Sequence, residues 1–84
     1  MTREQILEVV NKHIRSNIYG LDSRPIDPSQ SMVDLGASSL DIIEIVSASM
    51  RELQLKIPRT RLTGLKNIDE LVNLFYQVKQ ETGG

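Results

Sequence analysis

The sequence contains no cysteine, a single histidine and a single phenylalanine. Without cysteine, neither a disulfide framework nor a thiolate metal site can hold the fold. The lone His13 cannot build a histidine-rich metal site, and no metal is expected. No acid or nucleophile near His13 in sequence makes it a catalytic base, so it reads as a surface or partly covered side chain. Aromatic residues make up 4% of the chain, and Tyr19, Phe75 and Tyr76 are too scattered for a base-stacking platform. An excess of charge is missing as well. Ten basic residues stand against eleven acidic ones, for a net charge of −1, which argues against a broad nucleic-acid footprint. No apolar run approaches the length of a membrane span, and the N-terminus lacks a signal-peptide core. Neither membrane nor nucleic acid is therefore an expected partner, and the default compartment is cytoplasmic. With so few catalytic side chains, an enzyme is not expected.

What remains is 84 residues, 39% hydrophobic and 25% charged, an ordinary balance for one small soluble domain spanning residues 1–84. A monomer is expected. Thr2-Arg3-Glu4-Gln5 reads as a capping box, and Ile6, Leu7, Val10 and Ile14 follow at helical spacing. This predicts a first helix from about Arg3 to Ser16, with Glu4, Glu8, Lys12 and Arg15 outside and an i,i+4 pair between Glu8 and Lys12. Ser38 with Asp41 is a second cap. Ile42, Ile45, Val46 and Leu53 form the apolar face of the helix behind it, which should end near Gln54. Ile57 precedes Pro58 and should be extended. Arg59 to Leu62 can form one short turn, closed by Gly64. Asn67 with Glu70 is a third cap, followed by the stripe Ile68, Leu71, Val72, Phe75 and Val78, with a frayed tail over 80–84. Phe75 and Leu53 should be among the most buried side chains, on helices that face each other. The fold class is all-α: a small four-helix bundle of three main helices and one short one, with no strand pattern and no internal repeat.

Between about Asn17 and Ala37 no period is sustained. Gly20, Pro25 and Pro28 mark turns. A structureless loop of this length is unusual unless it has a task. Its apolar residues Ile18, Tyr19, Leu21, Ile26, Met32, Val33 and Leu35 read as anchors that lay it across the bundle.

The segment Asp34-Leu35-Gly36-Ala37-Ser38-Ser39-Leu40-Asp41 holds the chemistry. Gly36 can take a backbone conformation closed to other residues. A serine at a helix start is exposed beside outward-pointing amides, a setting that suits a phosphodiester. On these letters alone Ser38 and Ser39 read first as plain capping residues. Asp-Leu-Gly-x-x-Ser-Leu-Asp at the head of the second helix, after a long first loop, resembles the acyl carrier proteins from the first helix to Val78. The resemblance implies that Ser39 carries a covalent 4′-phosphopantetheine arm, added from coenzyme A by a phosphopantetheinyl transferase. It also implies that the chain holds acyl groups as thioesters for partners such as ketosynthases and acyltransferases. Ser38 stands where that family usually has Asp. The later segment Leu53-x-Leu55-x-Ile57-Pro58-Arg59, Leu62-x-Gly64 and Lys66-Asn67-Ile68-x-Glu70-Leu71 is similar to the free-standing donor carriers of polyketide β-branching cassettes. These present acetyl to a synthase related to HMG-CoA synthase. The second helix lacks the basic residue of that subgroup.

Residues 27–44 carry four carboxylates (Asp27, Asp34, Asp41, Glu44) and no base, whereas residues 51–66 carry five bases against Glu52. Opposed patches of this kind steer partners, although each reads equally as a solvated face. Leu40, Ile43, Ser47 and Met50 lie on the side of the second helix away from Ile42, Val46 and Leu53. Leu40, Asp41, Ile43, Glu44, Met50, Arg59 and Arg61 are therefore the candidate partner-binding residues; Met50 could instead pack under the short helix. In the acyl carrier family Met50, Arg51, Arg59 and Arg61 would be expected acids, which points to a specialised partner set rather than general fatty-acid synthesis. Three rivals remain. A cofactor-free helical interaction module would gain no mass from coenzyme A. A peptidyl carrier usually shows a Gly-Gly-His/Asp-Ser core, absent here. A serine hydrolase lacks a base near Ser39.

Overall fold

In the computed structural model, which describes residues 1–21 and 24–81, four helices follow one another: α1 (Arg3–Asn17), α2 (Ser39–Leu53), α3 (Arg59–Leu62) and α4 (Ile68–Glu81). No strand occurs among the described residues. The helix starts lie where the capping residues put them. Thr2 Oγ1 accepts the Gln5 N–H at 3.1 Å, and Gln5 Oε1 accepts the Thr2 N–H at 2.8 Å. Ser38 and Asp41 repeat this box at 3.2 and 2.9 Å. At α4, Asn67 Oδ1 accepts the Glu70 N–H at 2.9 Å, while the Glu70 carboxylate takes the Lys66 N–H at 3.0 Å. Each box satisfies amides that a helix start leaves without an internal partner. α4 remains helical through Gln80 and Glu81, so the tail does not fray from residue 80; the expected fraying over 82–84 lies outside the described residues.

The buried apolar side chains form one cluster. α1 supplies Ile6, Val10 and Ile14, and α4 supplies Ile68, Leu71, Val72, Phe75 and Val78. Phe75 is fully buried and Leu53 nearly so. Their helices do not chiefly face each other, however: α2 and α4 both pack on α1. The reason lies in α1, where Leu7 and Val9 flank the buried stripe and make it apolar on two sides. On α2 the buried row is Ile45, Ser49 and Leu53, while Ile42 and Val46 are only half-buried. Among the described residues, the hydroxyl of fully buried Ser49 has no hydrogen-bond partner.

α2 ends in a left-handed residue, Gln54 (φ 58°). The Leu55 N–H bonds the Met50 carbonyl and the Gln54 N–H bonds that of Arg51, which is the Schellman pattern. Beyond it the chain leaves the helix and passes buried Leu55 and Ile57 to Pro58 (φ −59°, ψ 145°) and α3.

The first loop is stitched to the bundle by backbone as well as by side chains. Ile18, Leu21 and Met32 are buried, and Ile26 and Leu35 are partly so. Tyr19 and Val33, expected as anchors, are instead exposed. Tyr19 falls just beyond the last turn of α1, where the side chain of Ile18 already fills the inward position. The carbonyls of Gln30 and Pro28 accept the N–H groups of Ile68 and Asp69 at 3.1 and 2.9 Å. The loop therefore caps α4, and this is the task that justifies its length.

Lys12 does not pair with Glu8. Its Nζ lies 2.6 Å from Glu52 Oε2, and His13 Nε2 lies 2.8 Å from Glu52 Oε1. One carboxylate thus joins α1 to the end of α2, and His13 has an acid partner that its sequence neighbourhood does not reveal. The hydrogen bond from Lys12, then that from His13, holds the Glu52 carboxyl below its ordinary value. A depressed carboxylate contributes stability above its unfolded pKa, and the contribution is lost as pH falls through the folded value. Glu52→Gln should therefore be less stable than wild type at about pH 6, and the gap should close by about pH 3. Urea denaturation of both proteins at the two pH values measures this; a gap that persists in acid would show that the carboxylate's charge is not what matters.

Candidate functional site

The site is built by two consecutive turns. Ser31 Oγ accepts the Asp34 N–H and Asp34 Oδ2 accepts the Ser31 N–H, both at 3.1 Å. This fourth capping box escaped the sequence reading, although Ser-x-x-Asp is visible there. It opens a turn that closes at Gly36 (φ +101°). The Ala37 N–H reaches the Met32 carbonyl and the Gly36 N–H reaches that of Val33. Buried Met32 and Ala37 supply the apolar contact of this Schellman closure. A side chain at Gly36 would be strained by the positive φ. The turn delivers Ser38 to the cap of α2 and Ser39 to its first helical position.

The two serines then differ sharply. Ser38 spends its hydroxyl and its N–H on Asp41. Ser39 is exposed, and among the described residues its hydroxyl has no hydrogen-bond partner. By helix geometry the N–H groups of Ser39 and Leu40 have no intrahelical acceptor, and they sit at the positive end of the α2 dipole. An exposed hydroxyl beside two open amides fits a phosphodiester.

Around Ser39 the candidate partner residues sort into two groups. Leu40 (78% exposed) and Ile43 (59%) lie in solvent together with Glu44, and Val33 (65%) in the preceding turn is exposed as well. Asp41 is half-buried, and its carboxylate belongs to the cap. Asp34 is likewise committed to its box. Asp27 accepts the Ser29 N–H and hydroxyl at 2.9 and 2.8 Å, and these bonds, the backbone one first, hold its carboxyl below the ordinary value. Three of the four acids in the acidic segment are therefore turn-formers, and Glu44 is the one exposed to a partner without such a bond. On the basic side, Glu52 is turned to Lys12 and His13. Arg61 has only a 3.9 Å contact to Glu81, and among the described residues Arg51, Lys56 and Arg59 have no ion-pair partner.

Among the described residues, two spaces lie along α2 on the side that faces α3. An open groove of about 600 Å³ runs between α2 and α3 over Ile43, Met50, Leu55 and Ile57, bordered by Arg51 and Arg59. Met50 is half-buried there, so it both packs and lines the groove. A smaller recess of about 170 Å³, half open to solvent beside exposed Val33 and Lys66, lies among Met32, Ile42, Val46, Leu62, Ile68 and Leu71. Among the described residues no cluster of His, Cys, Asp or Glu could hold a metal, and no helix is long and apolar enough to cross a membrane.

A helical bundle that presents an unencumbered serine at the head of its second helix is the architecture of a carrier. The family model for the phosphopantetheine attachment site matches residues 13–75, and the chain belongs to this family. Its cofactor is 4′-phosphopantetheine, and its role is that of an acyl carrier. The chain is 39% identical over 80 residues to the polyketide biosynthesis acyl-carrier-protein AcpK of Bacillus subtilis (strain 168), covering 95% of this chain and 98% of AcpK. It is 37% identical over 81 residues to an acyl carrier protein of Cyanidioschyzon merolae (strain NIES-3377 / 10D), covering 95% and 88% respectively. Among solved structures it is similar to a chain in the crystal structure of the curacin biosynthetic pathway HMG synthase in complex with acetyl donor-ACP. There the TM-score is 0.82 at 40% identity, over 89% of this chain and 96% of the other.

Proposed function

We propose that the chain is a polyketide-pathway acyl carrier, itself no catalyst, whose arm is attached at Ser39 and which donates acetyl to an HMG-synthase-like enzyme. The exposed, unbonded hydroxyl of Ser39 at the start of α2 carries this reading. The similarity to AcpK and to the acetyl donor carrier supports the pathway and the partner. In the attachment step the Ser39 oxygen forms a bond to phosphorus. The pyrophosphate bond of coenzyme A breaks, the nucleotide half leaves, and the hydroxyl proton passes to the transferase. When bound, the arm supplies a thiol that holds acetyl as a thioester. The chain's own residues offer the serine, neutralise the phosphodiester with the first amides of α2, and present a surface.

That surface is the exposed pair Leu40 and Ile43 with Glu44 on α2, and the groove bordered by Arg51 and Arg59. The apolar residues supply contact area, and the charges set orientation and encounter rate. The test is direct. The protein, coenzyme A and a broad-specificity transferase should give a mass gain of one phosphopantetheine. Acetyl loaded on that arm should then pass to the synthase's active-site nucleophile, read as label on the synthase. No transfer from fully loaded carrier would overturn the partner assignment. Reversing Arg59 and Arg61 to Glu should slow association with the synthase and flatten its salt dependence, with little change in dissociation. Stopped-flow association at low and high salt measures this. An unchanged rate and salt slope would make the basic segment a solvated surface.

A further inference from the structure

We propose that the two ends of α2 serve different enzymes. The apolar collar around Ser39, which includes Val33, receives the enzyme that attaches the arm. The basic rim of Arg51, Lys56 and Arg59 at the other end receives the enzyme that takes the acyl group. The inference rests on the reading that Ser39 bears the arm and that an HMG-synthase-like enzyme receives its cargo. It follows from where each enzyme has to work. Attachment forms a bond to the Ser39 oxygen itself, so the transferase must lie over the start of α2. The acceptor enzyme meets the thiol at the tip of the arm and is free to seat itself away from the serine. Arg51 stands about 18 Å along the axis from Ser39, at about 1.5 Å per residue.

The two ends have opposite chemistry. Between Arg24 and Arg51 the sequence has no basic residue, so an enzyme over Ser39 meets apolar side chains and the carboxylate of Glu44. Val33 is 65% exposed although it is apolar. Its backbone is nonetheless fixed: its carbonyl accepts the Gly36 N–H at 2.9 Å, and the Ser31–Asp34 box closes around it. With Ile42 it borders the recess beside α2, and Ile42 lies one helical turn from Ser39. A fixed turn that holds an apolar side chain in water beside the reacting serine marks a contact surface. Leu40 adjoins Ser39, and Ile43 also lines the groove between α2 and α3, so the two ends share Ile43. At the far end Met50, Leu55 and Ile57 floor that groove, and Arg51 and Arg59 border it. Lys56 is exposed between buried Leu55 and Ile57. None of the three cations has an ion-pair partner among the described residues. Glu52, the one acid of residues 51–66, is held by Lys12 and His13. The rim therefore fits an acidic enzyme surface with an apolar side chain to set in the groove, and it repels a basic one.

The experiment measures two rates on each variant. Attachment is followed by intact mass, with coenzyme A and a broad-specificity transferase. Transfer is followed as acetyl label reaching the HMG-synthase-like enzyme from carrier already loaded in full. In the triple variant Arg51→Glu, Lys56→Glu, Arg59→Glu, transfer at low salt should fall at least about tenfold, while attachment stays within about twofold of wild type. Added salt should narrow the loss. In Val33→Asp attachment should fall about tenfold, because a charge replaces an apolar contact, and transfer from loaded carrier should stay within about twofold. All four positions are exposed, and circular dichroism checks that the variants are folded. Arg51→Gln, Lys56→Gln, Arg59→Gln removes the charge without reversing it and should lower transfer by a smaller factor. Losses of the same size in both rates, losses in the opposite rate, or no loss at all overturn the division of α2 while leaving Ser39 in place. Absence of attachment to the wild type overturns the attachment reading, and absence of transfer from loaded wild type overturns the partner reading.

Discussion

Ser39→Ala should leave a folded protein that gains no mass from coenzyme A under any transferase, while Ser38→Ala should still be fully modified. The adjacent serines have been given opposite tasks by the turn before them. Ser38 Oγ lies 3.2 Å from the Asp41 N–H that it caps. Removing it should cost about 1 kcal/mol, the usual worth of a serine cap, and should not touch the reacting oxygen. Ser39 is exposed and makes no side-chain hydrogen bond among the described residues, so its truncation should change stability by no more than about 0.5 kcal/mol. Its loss removes the only oxygen at that place which could bond to phosphorus. Intact mass after transferase treatment and urea denaturation of the two variants together decide the matter. A modified Ser39→Ala, or an unmodifiable but folded Ser38→Ala, would move the attachment point. Because every downstream step needs the arm, acetyl transfer from Ser39→Ala should be undetectable rather than merely slow.

Those features of the chain that act over three or four residues were legible in the sequence. The boxes at Thr2, Ser38 and Asn67 set three helix starts because a cap and its partner are local in sequence. The α4 stripe from Ile68 to Val78 is buried throughout because its apolar residues repeat at helical spacing. The place of Ser39 at the exposed first position of α2 was legible because the turn and the cap follow from eight consecutive residues. What was not legible acts over distance. Glu52 draws Lys12 and His13 from forty and thirty-nine residues away, so the i,i+4 rule named the wrong partner for Lys12. The carbonyls of Pro28 and Gln30 that cap α4 have no side-chain signature at all. Ser49 was passed over because a serine does not register in an apolar count, although its place between Ile45 and Leu53 at intervals of four marks it as inward-facing. Ile42 and Val46 were read as core, yet they are half-buried because the space before them is a recess rather than a neighbour. Tyr19 and Val33 show the converse: in an aperiodic loop, apolar character alone does not say which way a side chain turns.

Phe75→Ala should strongly destabilise this domain, and unfold it if its stability is at the low end for its size. Phe75 is the sole phenylalanine, it is fully buried, and it heads the fully buried side chains by volume. It lies in the middle of α4, which packs on α1. Its neighbours are held from several sides: Ile6, Val10 and Ile14 by α1, and the start of α4 by loop carbonyls and by the Arg3–Asp69 ion pair at 3.0 Å. A core tied in this way cannot collapse into the space a lost ring leaves, so the cavity term adds to the transfer term. Phenylalanine-to-alanine changes in such settings cost about 3–5 kcal/mol. At the usual stability per residue a chain of 84 residues has about 4–13 kcal/mol in all, and small domains bury a smaller share of their surface. The loss therefore takes about a quarter of the stability at best and all of it at worst. Thermal unfolding should fall by more than about ten degrees. Modification at Ser39 should fall with it, since the turn at Gly36 is closed by Met32 and Ala37, which belong to the same buried cluster. Phe75→Leu, which retains most of the apolar area, should remain folded and modifiable at reduced stability. Circular dichroism melts of the two variants beside their extent of modification test this. A Phe75→Ala protein that melts within a few degrees of wild type would mean that α4 does not depend on this ring for its seat on α1.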